Sequence, residues 1–304
     1  MGKALADRFP EARRAFDEAD AAFARAGDSP RALSSICWDG PEADLQLTEI
    51  TQPAIVAASV AAYRVLAGQG ILPSLVAGHS LGEYSAHVAA GTFTLADAVG
   101  LVRRRGRYMQ EAVPVGTGAM VAILGVDLPV VTQACEEAAQ GEIVSPANIN
   151  APGQISIAGH AAAVQRAAER AKALGARRVI PLAVSAPFHC ALMKPAEQRL
   201  EPELRRLTTS SPSVPVVANV DGEPKRDGAS SVDALVRQVS APVRWVDVVR
   251  RLASEGVTTY VEVGPGNVLT GLVKKIQPDA SVMTFGSPEN LDAIVAACSI
   301  SPEK

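Results

Sequence analysis

The run Gly78-His79-Ser80-Leu81-Gly82 lies between a short apolar stretch, residues 74–78, and a segment of helical periodicity over residues 81–90. A G-x-S-x-G in that position needs a strand feeding straight into a helix, with the serine lifted onto a strained turn. The glycines let neighbouring backbone come close. The N–H groups opening the following helix point toward charge that develops near Ser80. Taken alone, the motif also fits a glycine-rich turn with a capping serine.

The flanking pattern favours the elbow. One helix is expected over residues 3–25, and a second opens with Thr51 as N-cap and Pro53 in its first turn, stopping at Gly68 and Gly70. Thr94 caps a longer helix over residues 95–113. Pro114, Gly116 and Gly118 then change the register. Strand 119–125, helix 129–139, strands 143–149 and 154–158, helix 161–174 and strand 178–184 follow in order. That β-α-β-β-α-β sequence is the split unit of a ferredoxin-like domain. Beyond it come a helix after His189, strand 214–220, helices 232–239 and 246–255, strand 259–263 and a helix after Gly266. Strands alternating with helices outside the insert predict a parallel, doubly wound α/β core. The core comprises residues 1–115 and 186–304, and residues 116–185 form the small inserted subdomain.

A nucleophilic serine needs a base, and the chain has four histidines. His79 adjoins Ser80, but its side chain leaves the turn in another direction. His87 lies two helical turns on, about 10 Å away by helix rise. His160 opens a helix of the small subdomain, as a cap or surface residue. His189 closes Ser185-Ala186-Pro187-Phe188-His189, directly after the strand returning to the main sheet, where ligand sites of open α/β folds gather. His189 is therefore the expected base. No acid stands out to orient it, and a backbone carbonyl could accept from its ring N–H instead.

Arg103, Arg104, Arg105 and Arg107 share one helix. Three read as a solvated basic face. Arg105 falls on the apolar stripe with Leu95, Val102 and Met109, where a guanidinium needs an anionic partner. An internal carboxylate or a carboxylate on the substrate would serve.

Charge and cysteine usage narrow the function further. Lys and Arg number 29 against 32 Asp and Glu, a net charge of -3, which supplies no basic excess for nucleic acid. Four scattered cysteines show neither zinc-ligand spacing nor a disulfide framework, the pattern of reduced thiols in a cytoplasm. The N-terminus has no signal-peptide pattern, and no run of about 18 uncharged apolar residues is present, so no membrane span is expected.

Gln52-Pro53, the segment 78–84, the arginine-bearing helix and residues 185–195 together resemble the malonyl-CoA:acyl-carrier-protein transacylases. The likeness extends through residues 144–154 and 261–266 and covers nearly the whole chain. It implies a hydrolase-like core with a ferredoxin-like insert. It also implies Ser80 as nucleophile, His189 as base and later acid, the Gln238 carbonyl orienting His189, and the Leu81 N–H as an oxyanion donor. Arg105 would clamp the malonyl carboxylate; Gln52, His79, Asn148 and Asn150 would line the site, and Phe188 marks a malonyl-preferring pattern. The implied substrates are malonyl-CoA and an acyl carrier protein, handled by a cytoplasmic monomer with no metal or cofactor, no nucleic acid and no membrane. One departure stands out. The family opens with a strand and a Phe-Pro-Gly-Gln-Gly-Ser-Gln type loop carrying a second oxyanion donor, and this sequence starts beyond it. Either the start is clipped or that donor is absent; a clipped start is expected, because losing a core strand leaves an unpaired sheet edge.

Overall fold

The computed structural model describes residues 1–27 and 29–298, so positions 28 and 299–304 of the expected core segments lie outside the described residues. Among those described, the strands are β1 Val76–Ala77, β2 Gly118–Leu124, β3 Val144–Ala151, β4 Gln154–His160, β5 Arg178–Pro181, β6 Val216–Val217, β7 Pro224–Lys225, β8 Thr259–Val263 and β9 Ser281–Phe285. Helices alternate with them, giving a mixed α/β architecture.

The strands form three sheets, ordered β1-β6-β7, β3-β4-β2-β5 and β8-β9; where a parallel, doubly wound core is expected, the core strands lie in two short sheets, and β6 pairs with β7 antiparallel. β1 runs parallel to β6, and β8 parallel to β9. Residues 74–78 yield only a two-residue strand because the Gly78 carbonyl turns away to accept from the Asn219 side chain, 2.7 Å away. The run 214–220 is cut short in the same place, at Val217.

β2 to β5 form an antiparallel sheet whose strands and two helices follow the expected β-α-β-β-α-β order. Alternation sorts its faces. Val121, Ile123, Ile155 and Ile157 pack with Val131 and Val164 of helices Leu128–Ala139 and Ala161–Ala173. Met120 and Ala158 instead meet Cys190 and Phe188, laying the other face over the His189 segment. β3 is irregular between Pro146 and Asn148, where the Ile149 N–H donates to the Val243 carbonyl (2.8 Å) and the Val243 N–H to that of Ala147 (2.9 Å). This bridge ties the sheet to the loop that follows Gln238.

The helical side of the core is built on Thr48–Gly68, packed against Pro10–Arg25 and Leu95–Glu111. The single helix expected over residues 3–25 is broken into Lys3–Arg8 and Pro10–Arg25, because proline pushes the preceding Phe9 into extended backbone (φ -121°, ψ 122°). The second helix starts before Thr51, with Leu47 as N-cap; Thr51 Oγ1 donates to the carbonyls of Leu45 and Leu47 instead of capping, and Pro53 lies inside the helix. Thr48–Gly68 is long and apolar enough to cross a membrane by length and composition alone, although Glu49 and Arg64 interrupt its apolar run. Ile50, Val56, Val60, Val65 and Leu66 are nonetheless buried against the protein's own helices. Gly106 lets Leu95–Glu111 approach closely: a Cβ there would stand 2.6 Å from the Thr48 carbonyl oxygen. Thr94 caps that helix as expected, accepting from the Asp97 N–H at 3.0 Å.

Candidate active site

Ser80 follows β1 and precedes helix Gly82–Ala89, and its φ of 51° puts a non-glycine residue in left-handed backbone. Gly78 allows the turn to close, since a Cβ there would lie 2.0 Å from the Gly82 carbonyl carbon. Asn219 pins both sides of the turn. Its Oδ1 accepts from the Ser80 N–H at 2.6 Å and its Nδ2 donates to the Gly78 carbonyl.

Ser80 Oγ lies 2.6 Å from His189 Nε2, and His189 Nδ1 lies 3.0 Å from the Gln238 carbonyl oxygen. A carbonyl only accepts, so Nδ1 carries the proton and Nε2 presents a lone pair to the hydroxyl. Burial first, and the positive charge of Arg105 second, pull the His189 pKa down to about 3. The ring is therefore neutral at ordinary pH and able to take a proton from Ser80.

Arg105 is 2% exposed. Its Nη1 donates to Gln52 Oε1 (2.8 Å), and its Nη2 to Gln238 Oε1 (2.9 Å) and Ser80 Oγ (3.2 Å). These partners are neutral oxygens, and Nε has none among the described residues. The guanidinium also lies over the Tyr84 ring at 5.4 Å, and burial lowers its pKa. Arg103 corrects the reading of a solvated face. It is 8% exposed, donates to the Phe23 and Gly27 carbonyls and stacks 4.0 Å from the Phe23 ring, because helix Leu95–Glu111 is covered on more than one side. Arg104 and Arg107 sit partly exposed beside Glu203 and Glu111.

His79 turns away from Ser80 as expected, with Nε2 2.9 Å from Asn150 Oδ1 and its ring 5.6 Å from that of Trp245; burial lowers its pKa. Asn148 lies on the same strand as Asn150, with its Oδ1 buried and unpartnered among the described residues. Phe188 is half-buried between two apolar clusters. None of the hydrogen bonds of the described residues engages the Leu81 N–H at the head of the helix. His87 is buried away from the hydroxyl, on Thr92, and His160 accepts from the Ile143 N–H through Nδ1 without capping by its side chain.

Sequence reasoning missed three contributors, namely Asn219, the Glu83 carboxylate and Trp245. Asn219 left one trace, a polar residue closing an apolar strand run. Glu83 reads as an ordinary residue of the helix expected over 81–90, and Trp245 falls just ahead of the one expected over 246–255.

Fold and site together define an α/β serine enzyme. The chain belongs to the acyl transferase domain family, whose model matches residues 1–298. It is 50% identical over 290 residues to the malonyl CoA-acyl carrier protein transacylase of Salmonella typhimurium, covering 95% of this chain and 92% of that one. Among solved structures it is similar to an acyl carrier protein S-malonyltransferase from Vibrio cholerae, with TM-score 0.93, 45% identity, and 97% and 94% of the two chains covered. A type II polyketide acyl-carrier protein in complex with its malonyl-transacylase gives TM-score 0.93 at 46% identity, covering 98% of this chain and 94% of that one.

Proposed function

We propose that this chain moves a malonyl group from malonyl-CoA to the phosphopantetheine thiol of an acyl carrier protein, supplying fatty-acid or polyketide elongation. As Ser80 Oγ bonds to the thioester carbonyl carbon, its proton passes to His189 Nε2. The carbonyl oxygen takes up negative charge beside the Leu81 N–H and the start of helix Gly82–Ala89. Collapse breaks the C–S bond, and His189 returns the proton to the departing CoA sulfur. The carrier thiol then gives its proton to His189 and attacks the malonyl-serine, and Ser80 leaves reprotonated.

One observation carries the choice of acyl group. Arg105 is a buried cation whose hydrogen bonds all go to neutral oxygens, with the Glu83 carboxyl acting on it only through space, and it touches the reacting hydroxyl. A carboxylate at the far end of the acyl chain is the partner that a buried guanidinium lacks. A hydrolase of neutral esters has no use for that charge. Gln52, His79, Asn148, Asn150 and Phe188 line the malonyl pocket in this reading.

The reading extends to a hydrolase-like core, residues 1–115 and 186–304, carrying a ferredoxin-like subdomain at 116–185. The strand order β3-β4-β2-β5 and the separate apolar cluster of that segment support it. A cytoplasmic setting fits three buried, free thiols, Cys37, Cys135 and Cys190. The catalytic groups come from one chain, so the reading requires no second copy.

Mass measurement of the intact protein after incubation with malonyl-CoA tests the proposal. A malonyl adduct is expected on Ser80 and absent from Ser80→Ala; no adduct on the unsubstituted chain overturns the function.

A further inference from the structure

Glu83 is completely buried beside the site, yet the transfer chemistry gives it no part. Its Oε2 accepts two hydrogen bonds, from the Asn219 N–H at 3.0 Å and from Gln238 Nε2 at 2.8 Å. Those two residues hold the reacting pair. Asn219 fixes the backbone on either side of Ser80, and Gln238 offers its carbonyl to His189. The Gln238 side chain does more. Its Nε2 also donates to the Ser80 carbonyl at 2.9 Å, and its Oε1 accepts from Arg105 Nη2 at 2.9 Å.

The direction of that amide follows from its neighbours. Glu83 Oε2 and the Ser80 carbonyl both accept, so the NH2 must face them; Arg105 only donates, so Oε1 must face it. Rotating the amide by half a turn would set Oε1 against two acceptor oxygens and the NH2 against a guanidinium. Without Glu83, two such contacts would remain to resist rotation, one with the Ser80 carbonyl and one with Arg105. With Glu83 there are three.

We propose that Glu83 is a positioning residue for acyl selection: by reach rather than by charge, it locks the Gln238 amide so that Oε1 holds the Arg105 guanidinium against Ser80. The inference rests on the malonyl-transfer reading above, and it names the residue that aims the cation of that site. Loss of the lock frees Arg105 to rotate from the carboxylate position. Malonyl loading then suffers more than loading of an acyl group without a carboxylate.

Two conservative variants separate reach from charge. Glu83→Gln keeps an acceptor oxygen at the Oε2 position and removes the charge, while Glu83→Asp keeps the charge and draws the acceptor back by one methylene. The rate of Ser80 acylation by malonyl-CoA and by acetyl-CoA, followed by intact mass, gives the malonyl-to-acetyl preference of each. The preference is expected to fall roughly tenfold in Glu83→Asp, the scale of one charge-assisted hydrogen bond, and to stay within about threefold in Glu83→Gln. In an Arg105→Ala background the effect of Glu83→Asp on preference should vanish, because both changes act on one group. A merely structural role slows both acyl groups by the same factor in both variants, and that result overturns the proposal. So does the reverse order, with Asp retaining the preference and Gln losing it. No malonyl-serine on the unsubstituted chain overturns the malonyl-transfer reading and this inference with it; an adduct with equal losses overturns the inference alone.

Discussion

Ser80 and His189 are both non-glycine residues in left-handed backbone, with φ of 51° and 59°, and their side chains meet with Oγ 2.6 Å from Nε2. Such backbone costs roughly 1–3 kcal/mol per residue and persists only where the surroundings over-determine it. Here Asn219 holds one residue and the Gln238 carbonyl the other. Ser80→Gly relieves the strain at the elbow. It is expected to abolish malonyl loading while raising the Tm by about 1–3 °C, as for a gain near 1 kcal/mol in a chain of this size. A lower Tm in a calorimetric scan would remove strain from the description of this turn.

Arg105→Ala removes the buried guanidinium and leaves Gln52 Oε1 and Gln238 Oε1 without their donor. Malonyl kcat/KM is expected to fall by roughly 10²–10³-fold, in line with truncating one side of a buried charge pair. Acetyl transfer should change by less than about tenfold, because no carboxylate is left unpaired. Side-by-side loading assays decide it: an unchanged malonyl-to-acetyl ratio takes the clamp out of the mechanism.

Asn219→Ala orphans the Ser80 N–H and the Gly78 carbonyl, and deletes an anchor close to Glu83. Each buried group left unpaired costs about 1–3 kcal/mol. The expected outcome is a Tm lower by several degrees and a loading rate at least tenfold slower, since the hydroxyl is no longer fixed against the imidazole. A variant that melts lower but loads malonyl at the parental rate would confine Asn219 to stability.

The pH dependence of loading should lack the break near 6.5 that an ordinary histidine gives. His189 is held at about 3 and stays neutral well into acid. Glu83 is different, because burial pushes its carboxyl up to about 7. Because Glu83 aims Arg105 by reach rather than by charge, its ionisation is expected to leave the malonyl-to-acetyl preference flat through neutrality, in Glu83→Gln as in the unsubstituted chain. A limb near 6.5 that survives in Glu83→Gln would return the titration to His189.

Stability carries the opposite signatures of these groups. Burial also depresses His87, to about 3, so its contribution is complete above the unfolded value of 6.5 and is lost as pH falls toward 3. The raised pKa of Glu83 works the other way, contributing below 4.5 and fading as pH rises through about 7. His87→Leu, which removes one of the acid-sensitive groups far from the chemistry, is expected to make the fall of Tm between pH 6.5 and 4 shallower. An unchanged slope would exclude His87 as a source of acid sensitivity.

The elbow was legible because its glycines and serine act through backbone within five residues, and β2 to β5 because turn residues and period-two alternation are local signals. His189 could be reached by elimination among four candidates. Asn219 and Glu83 could not, since what makes them matter is a partner more than 130 residues away. Arg103 was misread for a related reason: a helical stripe marks one buried face, whereas Leu95–Glu111 is packed on more than one. The split into three sheets was hidden as well. Whether an apolar run keeps its ladder or gives up a carbonyl to a distant amide is decided in three dimensions.

The group behind His189 is a peptide carbonyl, where many serine enzymes place an acid. A dipole steadies an imidazolium less than a full negative charge does, and a nearby guanidinium makes the protonated ring less comfortable still. Such a ring releases its proton to the first sulfur that can accept it. Exchange between two thioesters of similar energy then runs as readily backward as forward, and the direction of flow is set by the relative supply of the two thiols.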